Sequence, residues 1–184
     1  MTSRTLSREK IVAAAIEIIN DQEKLTFTKL SKILGTRSQA IYNYFPDVLT
    51  LKVAVVDNFY DQLTQRLQID LLGLSGKQAI KSFANVSVQF ALSHFLVAQQ
   101  ILVIPADRLQ DKVLDNRLLV IHEILIKLLN PLIEDQKVQL IISRMLHNLI
   151  IGEIIHIENG QFNNKLMSAR DSFDKMLDIT LLSL

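Results

Sequence analysis

The sequence predicts an all-α fold, and two observations carry that prediction. Apolar residues recur at helical spacing along most of the chain, whereas long runs with the alternation typical of strands are absent. Only five glycines and three prolines occur among 184 residues, so little of the chain is left for loops. Hydrophobic residues make up 49% of the chain, which is enough for a substantial core. We expect about nine helices, divided between a small N-terminal domain and a larger helical one.

Capping residues mark three short helices at the N-terminus. Ser7 is expected to cap the first helix and Thr26 the second, since both side chains can accept a bond from a free backbone N–H. Thr36 is expected to cap the third, in a capping-box pattern with Gln39. Pro46 ends this helix because proline has no backbone donor.

Six further helices are expected, separated by prolines, glycines and capping residues. Their approximate bounds are 47–71, 77–98, 99–104, 109–129, 134–158 and 162–184. Asp47 is expected to cap the first of them. These bounds divide the chain into a three-helix part at residues 1–48 and a larger helical part at residues 49–184.

The stretch from Thr26 to Pro46 has the pattern of a helix-turn-helix. Gly35 follows an apolar helix end, where a C-cap needs the left-handed backbone that glycine adopts readily. The second helix of such a motif can enter the major groove of DNA. Residues 1–52 hold eight basic and five acidic side chains, and the rest of the chain holds twelve and fourteen. This asymmetry favours a nucleic-acid module, although a difference this small also arises by chance.

The same stretch resembles the DNA-binding motif of the TetR family of transcriptional repressors. The matching segment is LTFTKLSKILGTRSQAIYNYFPD, and its most specific residues are Gly35, Tyr42, Tyr44, Phe45 and Pro46. The resemblance implies a homodimer. Each subunit would have a three-helix DNA-binding domain at residues 1–48 and a helical domain for effector binding and dimerisation at residues 49–184. The family often has a phosphate-binding lysine two residues after the Phe-Pro pair. Here that position is Val48, and Lys52 follows one turn later.

The candidate DNA contacts lie in the second and third helices: Thr28, Lys29, Arg37, Ser38, Gln39, Tyr42, Asn43 and Tyr44. Arginine can pair with guanine and an amide with adenine, so the exposed polar side chains of the third helix are the candidate base readers. For Arg37 the alternative to a base contact is a phosphate contact or a solvated charge. For Gln39 the alternative is the capping role.

The remaining candidates are expected to contact phosphates. The resemblance implies this role for Tyr42 and Tyr44, with core packing as the alternative; the ring of Tyr44 is expected to point inward. Thr28 and Lys29 suit phosphate contacts because they lie in the first turn of the second helix.

An effector pocket is expected in the larger domain, where aromatic walls combine with few polar groups. The candidates are Tyr60, Phe83, Ser87, Phe90, His94 and His122. Four of them, from Phe83 to His94, follow helical spacing and share one face. For His94 the alternative is a core histidine whose hydrogen bonds the protein itself satisfies.

The helix at 134–158 is apolar around nearly its whole circumference, which predicts burial on several sides. A second subunit is the simplest cover for one side, and the candidate interface residues are Leu149, Gly152 and Ile155. Gly152 would let two helices approach closely. The alternative is a central core helix in a monomer.

Composition and motifs argue against several other classes. Without cysteine the chain has no disulfide or thiolate metal site, and no His/Asp/Glu cluster has zinc spacing. No nucleophile motif or glycine-rich phosphate loop indicates an enzyme, and no cofactor is expected. Charged residues interrupt the most apolar segment, which disfavours a membrane span, and the N-terminus lacks a signal-peptide pattern. A cytoplasmic location is expected.

The sequence therefore predicts a ligand-responsive transcriptional regulator, a repressor that a small apolar effector releases from a palindromic operator. Its expected partners are double-stranded operator DNA, a second copy of the chain and the effector. The alternative is a DNA-binding regulator that has no small-molecule effector and is controlled by a protein partner.

Overall fold

The computed structural model describes residues 6–104 and 112–182, without the side chains of 102, 103 and 112–115. This part of the chain is all-helical, as the sequence predicts. It contains nine helices: α1 Arg8–Asn20, α2 Phe27–Ile33, α3 Ser38–Tyr42, α4 Val48–Asp70, α5 Gly76–Ser93, α6 Phe95–Val103, α7 Lys112–Leu129, α8 Gln136–Glu158 and α9 Ala169–Leu181.

Local capping explains where several of these helices begin. Ser7 accepts a hydrogen bond from the backbone N–H of Lys10, and Thr26 accepts one from Lys29. Asp47 accepts one from Thr50, with an N···O distance of 2.7 Å. The predicted caps of α1, α2 and α4 are therefore confirmed.

Three predicted helix bounds are wrong. The third helix begins at Ser38, with Arg37 as an N-cap that makes no side-chain bond, so the capping box between Thr36 and Gln39 does not form. The helix expected at 77–98 ends at Ser93, and α6 begins two residues later. The last helix begins seven residues later than expected.

The late start of α9 has a local cause. Gly160 has a positive φ of 67° and terminates α8. Ser168 caps α9, since its side chain accepts the N–H of Asp171.

The chain divides into two compact units, which we describe separately. The first comprises Met1–Asp61 and Leu96–Arg117, and the second comprises Gln62–Phe95 and Leu118–Leu184. The contacts thus extend the first unit beyond residue 48, and the expected boundary at that residue remains a proposal about function.

The first unit holds the three N-terminal helices around a mainly apolar centre. Helix α2 packs against both α1 and α3. The side chains with no exposed surface here include Ile11, Leu30, Ile41 and Phe45. Arg117 of α7 also lies in this unit, where its guanidinium reaches two carboxylates on successive turns of α4. The distances are 3.2 Å to Asp57 and 2.7 Å to Asp61.

The second unit is built around α5, α8 and α9, which pack against one another. Lys81 of α5 pairs with Asp178 of α9. Four residues further along α5, the amide of Asn85 donates to Asp174 at 2.9 Å. These two contacts show that α5 and α9 run antiparallel.

Helix α8 is long and apolar enough to cross a membrane by length and composition alone. In this structure it packs against α5 and α9, and the core helix of a soluble protein meets the same criterion. This helix is therefore weak evidence for a membrane span.

Candidate functional site

The turn between α2 and α3 fixes how the third helix is presented. Gly35 has a φ of 61°, in the left-handed region that glycine enters without strain. The backbone N–H of Thr36 donates to the carbonyl of Ser31 at 2.9 Å, which closes the end of α2. The chain then extends through Arg37 and re-enters helical geometry at Ser38.

The inner side of α3 is anchored by apolar packing and by a buried polar contact. Ile41 and Phe45 have no exposed surface. The hydroxyl of Ser38 lies 3.2 Å from the hydroxyl of Ser31 and 3.4 Å from the carbonyl oxygen of Phe27. Ser38 is therefore half-buried and faces α2, which contradicts the exposed position expected for a base reader.

The outer side of α3 presents polar side chains. Gln39, Tyr42 and Asn43 are all exposed, and their i, i+3, i+4 spacing places them on one face. Arg37 is exposed just before the helix. Arg37, Gln39 and Asn43 line a shallow concavity of about 640 Å³. Three side chains with the chemistry to read base edges are thus presented together, and their role as base readers stays a prediction.

The two tyrosines differ in their surroundings. Tyr42 is 51% exposed, and its ring meets the ring of Phe27 edge-on at a centroid distance of 4.8 Å. Tyr44 is 36% exposed, and its hydroxyl donates to the carbonyl of Leu6 at 2.7 Å. The expectation that the ring of Tyr44 points inward is wrong, because Phe45 occupies the core instead. Since the only proton of its hydroxyl is engaged, Tyr44 is a poor phosphate donor.

The candidates at the start of α2 lie at the surface. Thr28 is exposed, and Lys29 is partly buried with its ammonium 2.6 Å from a carboxylate oxygen of Glu23. Exposed ion pairs of this kind are weak, so Lys29 remains able to exchange Glu23 for a phosphate.

One anchoring residue was not anticipated from the sequence. The guanidinium of Arg8 lies over the ring of Phe45 at 4.3 Å from its centroid. It also donates to the carbonyl of Tyr44 at 3.3 Å. Arg8 therefore connects α1 to the segment that follows α3. The sequence did not show this role, because the partner Phe45 lies 37 residues away.

No family model and no curated protein matches the sequence. Solved structures do match. FadR from Bacillus subtilis, in complex with stearoyl-CoA, has a TM-score of 0.75 at 15% identity, over 97% of this chain and 100% of that one. The chain has the fold of TetR-family transcriptional regulators. A TetR variant from Acinetobacter baumannii AYE, in complex with minocycline, has a TM-score of 0.70 at 18% identity, over 97% and 96%.

A third TetR-family match is a regulator from Rhodococcus sp. RHA1, with a TM-score of 0.61 at 22% identity over 96% of each chain. Identities this low establish the fold alone. Function in a chain with the TetR-family fold has to be argued from its own residues.

The predicted effector residues do not form one polar-lined site. Phe83 and Ser87 are buried in α5, but the hydroxyl of Ser87 donates to the carbonyl of Phe83 at 2.8 Å. His94 stacks on Phe90 at 4.3 Å, and its Nδ1 lies 2.9 Å from the carbonyl oxygen of Phe90. His122 is exposed on α7, so its expected place in a pocket wall is wrong.

Tyr60 belongs to the other compact unit. It packs against a small cluster formed by Val56 and Ile104, and burial raises the pKa of its hydroxyl to about 12. Its ring also meets that of Phe59 edge-on at 5.4 Å. Tyr60 therefore takes part in the packing of the first unit.

A buried carboxylate in α8 was not among the predicted site residues. Glu153 is 2% exposed, and neither of its oxygens has a hydrogen-bond partner among the described residues. Burial raises the pKa of this carboxyl group, and nearby His156 partly offsets the effect. Its sequence signal is a lone acid within the apolar run LIIGEIIHI, residues 149–157.

An apolar stripe runs along α8, opposite its buried side. Its members recur at intervals of three and four residues and are exposed or half-buried: Val138, Ile141, Met145, Leu149, Gly152 and Ile155. We call this set the α8 stripe. The three residues predicted for a dimer interface all belong to it, whereas Leu146, Ile150 and Ile154 of the same helix are buried within the unit.

Within residues 6–104 and 112–182, no group of three or more His, Asp or Glu side chains is arranged to hold a metal ion.

Proposed function

We propose that this protein is a ligand-responsive, DNA-binding transcriptional regulator that acts as a repressor. The observation that carries the proposal is the exposed set of Arg37, Gln39 and Asn43. A glycine turn and a buried helix face present this set, in a chain with the TetR-family fold. Arginine and amide side chains can each make two hydrogen bonds to a purine edge in the major groove.

The protein binds DNA as a homodimer in this proposal. The α8 stripe supports it, since a monomer would leave this contiguous apolar surface in water. Two copies of α3 related by a two-fold axis read two half-sites about 34 Å apart, which makes the operator palindromic. Thr28, Lys29 and Tyr42 contact phosphates and set the register on the duplex.

A small, largely apolar molecule releases the operator. The structurally similar regulators in complex with stearoyl-CoA and with minocycline support a response to a small-molecule ligand. The ligand acts by favouring a dimer whose two α3 helices no longer match successive major grooves. We place this regulator in the cytoplasm and assign it no enzymatic activity.

Selection of binding sites from random duplex DNA with the purified protein tests the proposal. We expect a palindromic motif whose affinity falls steeply as salt rises, because phosphate contacts release counterions. Arg37→Ala should weaken binding by about 1–3 kcal/mol and relax the preference at particular base pairs.

Lys165→Ala is the matched control, since it removes the same charge from an exposed position in the second unit. It should leave the selected motif unchanged. If selection enriches no motif, or if both variants lose affinity equally, then Arg37 does not read DNA as proposed.

A regulator without a small-molecule effector is the second candidate. It is favoured by the internal hydrogen bonds of Ser87 and His94, which leave the predicted pocket face with little polar capacity for a ligand. A thermal-shift screen followed by operator release separates the two, since only the first candidate yields a compound that raises the melting temperature and weakens DNA binding.

A further inference from the structure

Glu153 is the buried group for which the described structure offers no use. Its carboxylate is removed from solvent, and neither oxygen accepts a hydrogen bond from a described residue. A buried carboxylate without a partner destabilises the fold when it is charged. When it is protonated, its hydroxyl donor and its carbonyl acceptor are left without hydrogen bonds, which also destabilises the fold. Such a group persists in a folded protein when something other than folding requires it.

Three buried hydroxyls of the same unit donate within their own helices. Ser143, on α8, donates to the carbonyl of Leu140 at 2.9 Å. Ser87 on α5 and Thr180 on α9 likewise donate to carbonyl groups one turn earlier, at 2.8 and 2.9 Å. The helices that pack against α8 therefore direct these protons to backbone oxygens.

Charged side chains of α8 and of the two helices that pack against it have other partners. His156, one turn along α8, contacts the side-chain oxygen of Gln161 and stacks on Phe162 at 4.7 Å. Across the α5–α9 contact, Lys81 pairs with Asp178. At the exposed side of α9, Lys175 also approaches Asp178, at 3.9 Å.

Two more polar pairs lie in the same helices. Asn85 of α5 donates to Asp174 of α9, and Asp171 accepts from Ser168 at the start of α9. None of these pairs includes Glu153, whose two oxygens have no hydrogen-bond partner among the described residues.

We propose that Glu153 is the recognition residue of the effector site and that the effector is an apolar molecule carrying a protonated amine. This inference rests on the proposed function and names the ligand class. A protonated amine supplies both the opposite charge and the N–H donors that the carboxylate lacks, in a charge-assisted hydrogen bond. Leu146, Ile150 and Ile154 line the buried side of α8 and suit an apolar ligand body.

Entry of the amine couples ligand binding to a rearrangement of the packed helices. Glu153 is 2% exposed and lies among the buried residues of α8. A ligand that reaches the carboxylate must therefore displace packed side chains. A packed core responds to such insertion by moving to another discrete arrangement rather than by gradual deformation.

The test uses the full chain and three probes that share one alkyl body: n-decylamine, n-decanol and decanoic acid, each below its micellar concentration. Isothermal titration calorimetry should show n-decylamine binding roughly tenfold or more tightly than n-decanol, with decanoic acid weakest. In Glu153→Gln, which keeps the shape and removes the charge, the affinity for n-decylamine should fall to that for n-decanol. The affinity for n-decanol should stay unchanged.

Ser143→Ala is the matched control, because it alters a buried polar group of the same helix whose proton stays within α8. It should preserve the preference for the amine. The inference is wrong if the original protein does not prefer n-decylamine, if Glu153→Gln retains that preference, or if Glu153→Gln fails to fold. Failure to fold would mean that the carboxylate is structural.

Selection of DNA sites with Glu153→Gln separates this inference from the proposed function. If Glu153→Gln selects the original motif but no longer prefers the amine, the result supports both the ligand class and the proposed function. A protein that selects a motif but shows no amine preference overturns the ligand class alone, and a protein that selects no motif overturns the proposed function.

Discussion

Gly152 allows the proposed dimer to be tested through two effects of opposite sign. It lies inside α8 on the α8 stripe, and a Cβ built at this position meets no heavy atom of its own chain within 4 Å. Glycine in a helix interior is about 0.8–1 kcal/mol less favourable than alanine. Gly152→Ala should therefore raise the free energy of unfolding of the isolated subunit by about this amount.

The same position behaves differently if a second copy packs against it. Adding side-chain atoms to a close-packed contact typically costs about 1–3 kcal/mol, and a two-fold interface contains each change twice. Gly152→Leu should thus weaken the dimer by about 2–6 kcal/mol, which is roughly 30-fold or more in the dissociation constant. Its subunit should still fold, since the position is half-buried and a Cβ there meets no atom of the same chain within 4 Å.

Sedimentation over a range of protein concentrations measures the dissociation constant, and circular dichroism with urea measures the fold. Glu17→Leu serves as the control, because it adds an apolar side chain of the same size to an exposed position on α1. It should leave dimerisation unchanged. The reasoning is refuted if the original protein is monomeric at micromolar concentration, or if Gly152→Leu dimerises as tightly as the original.

Three further predictions concern single side chains. Ser38→Ala should lower the stability of the first unit by about 1 kcal/mol without changing base preference, since its hydroxyl contacts α2; thermal unfolding and site selection check the two halves. Tyr42→Phe should weaken binding to all DNA sequences alike, because a phosphate contact carries no sequence information; titrating an operator and a scrambled duplex tests this, and a loss confined to the operator would contradict it.

The last of the three concerns Glu153 and pH. Its pKa is raised above the ordinary 4.5, so the folded protein holds this proton over a range where the unfolded chain has lost it. Stability relative to Glu153→Gln should therefore fall as pH rises from about 4.5 through the raised pKa. Urea titrations of both proteins across that range measure the difference, and parallel pH profiles would argue against a buried carboxylate.

The parts of the fold that depend on neighbouring residues were predictable from the sequence. Ser7, Thr26 and Asp47 cap their helices as expected, because each bond spans only three residues. The predicted capping box at Thr36 is wrong because the end of the preceding helix engages its backbone N–H. Helical spacing and capping chemistry thus predicted which segments are helices, while contacts between helices determined where some of them begin or end.

The candidate site was predictable to the same extent. The exposure of Arg37 and Gln39 follows from the helical pattern of α3. The inward position of Ser38 and the engaged hydroxyl of Tyr44 depend on partners 11 and 38 residues away, which no local pattern reveals. The isolation of Glu153 was equally inaccessible, since periodicity shows which residues share a face but not what that face meets.

The contact of Arg117 with α4 makes the charge balance of that helix depend on another element. Asp57 and Asp61 are one helical turn apart, and like charges at this spacing oppose helix formation by about 0.2–0.5 kcal/mol. The guanidinium that reaches both carboxylates comes from α7, at a sequence distance of about 60 residues. Whenever Arg117 withdraws, the middle of α4 is left with adjacent negative charges, so its local helical stability becomes sensitive to ionic strength.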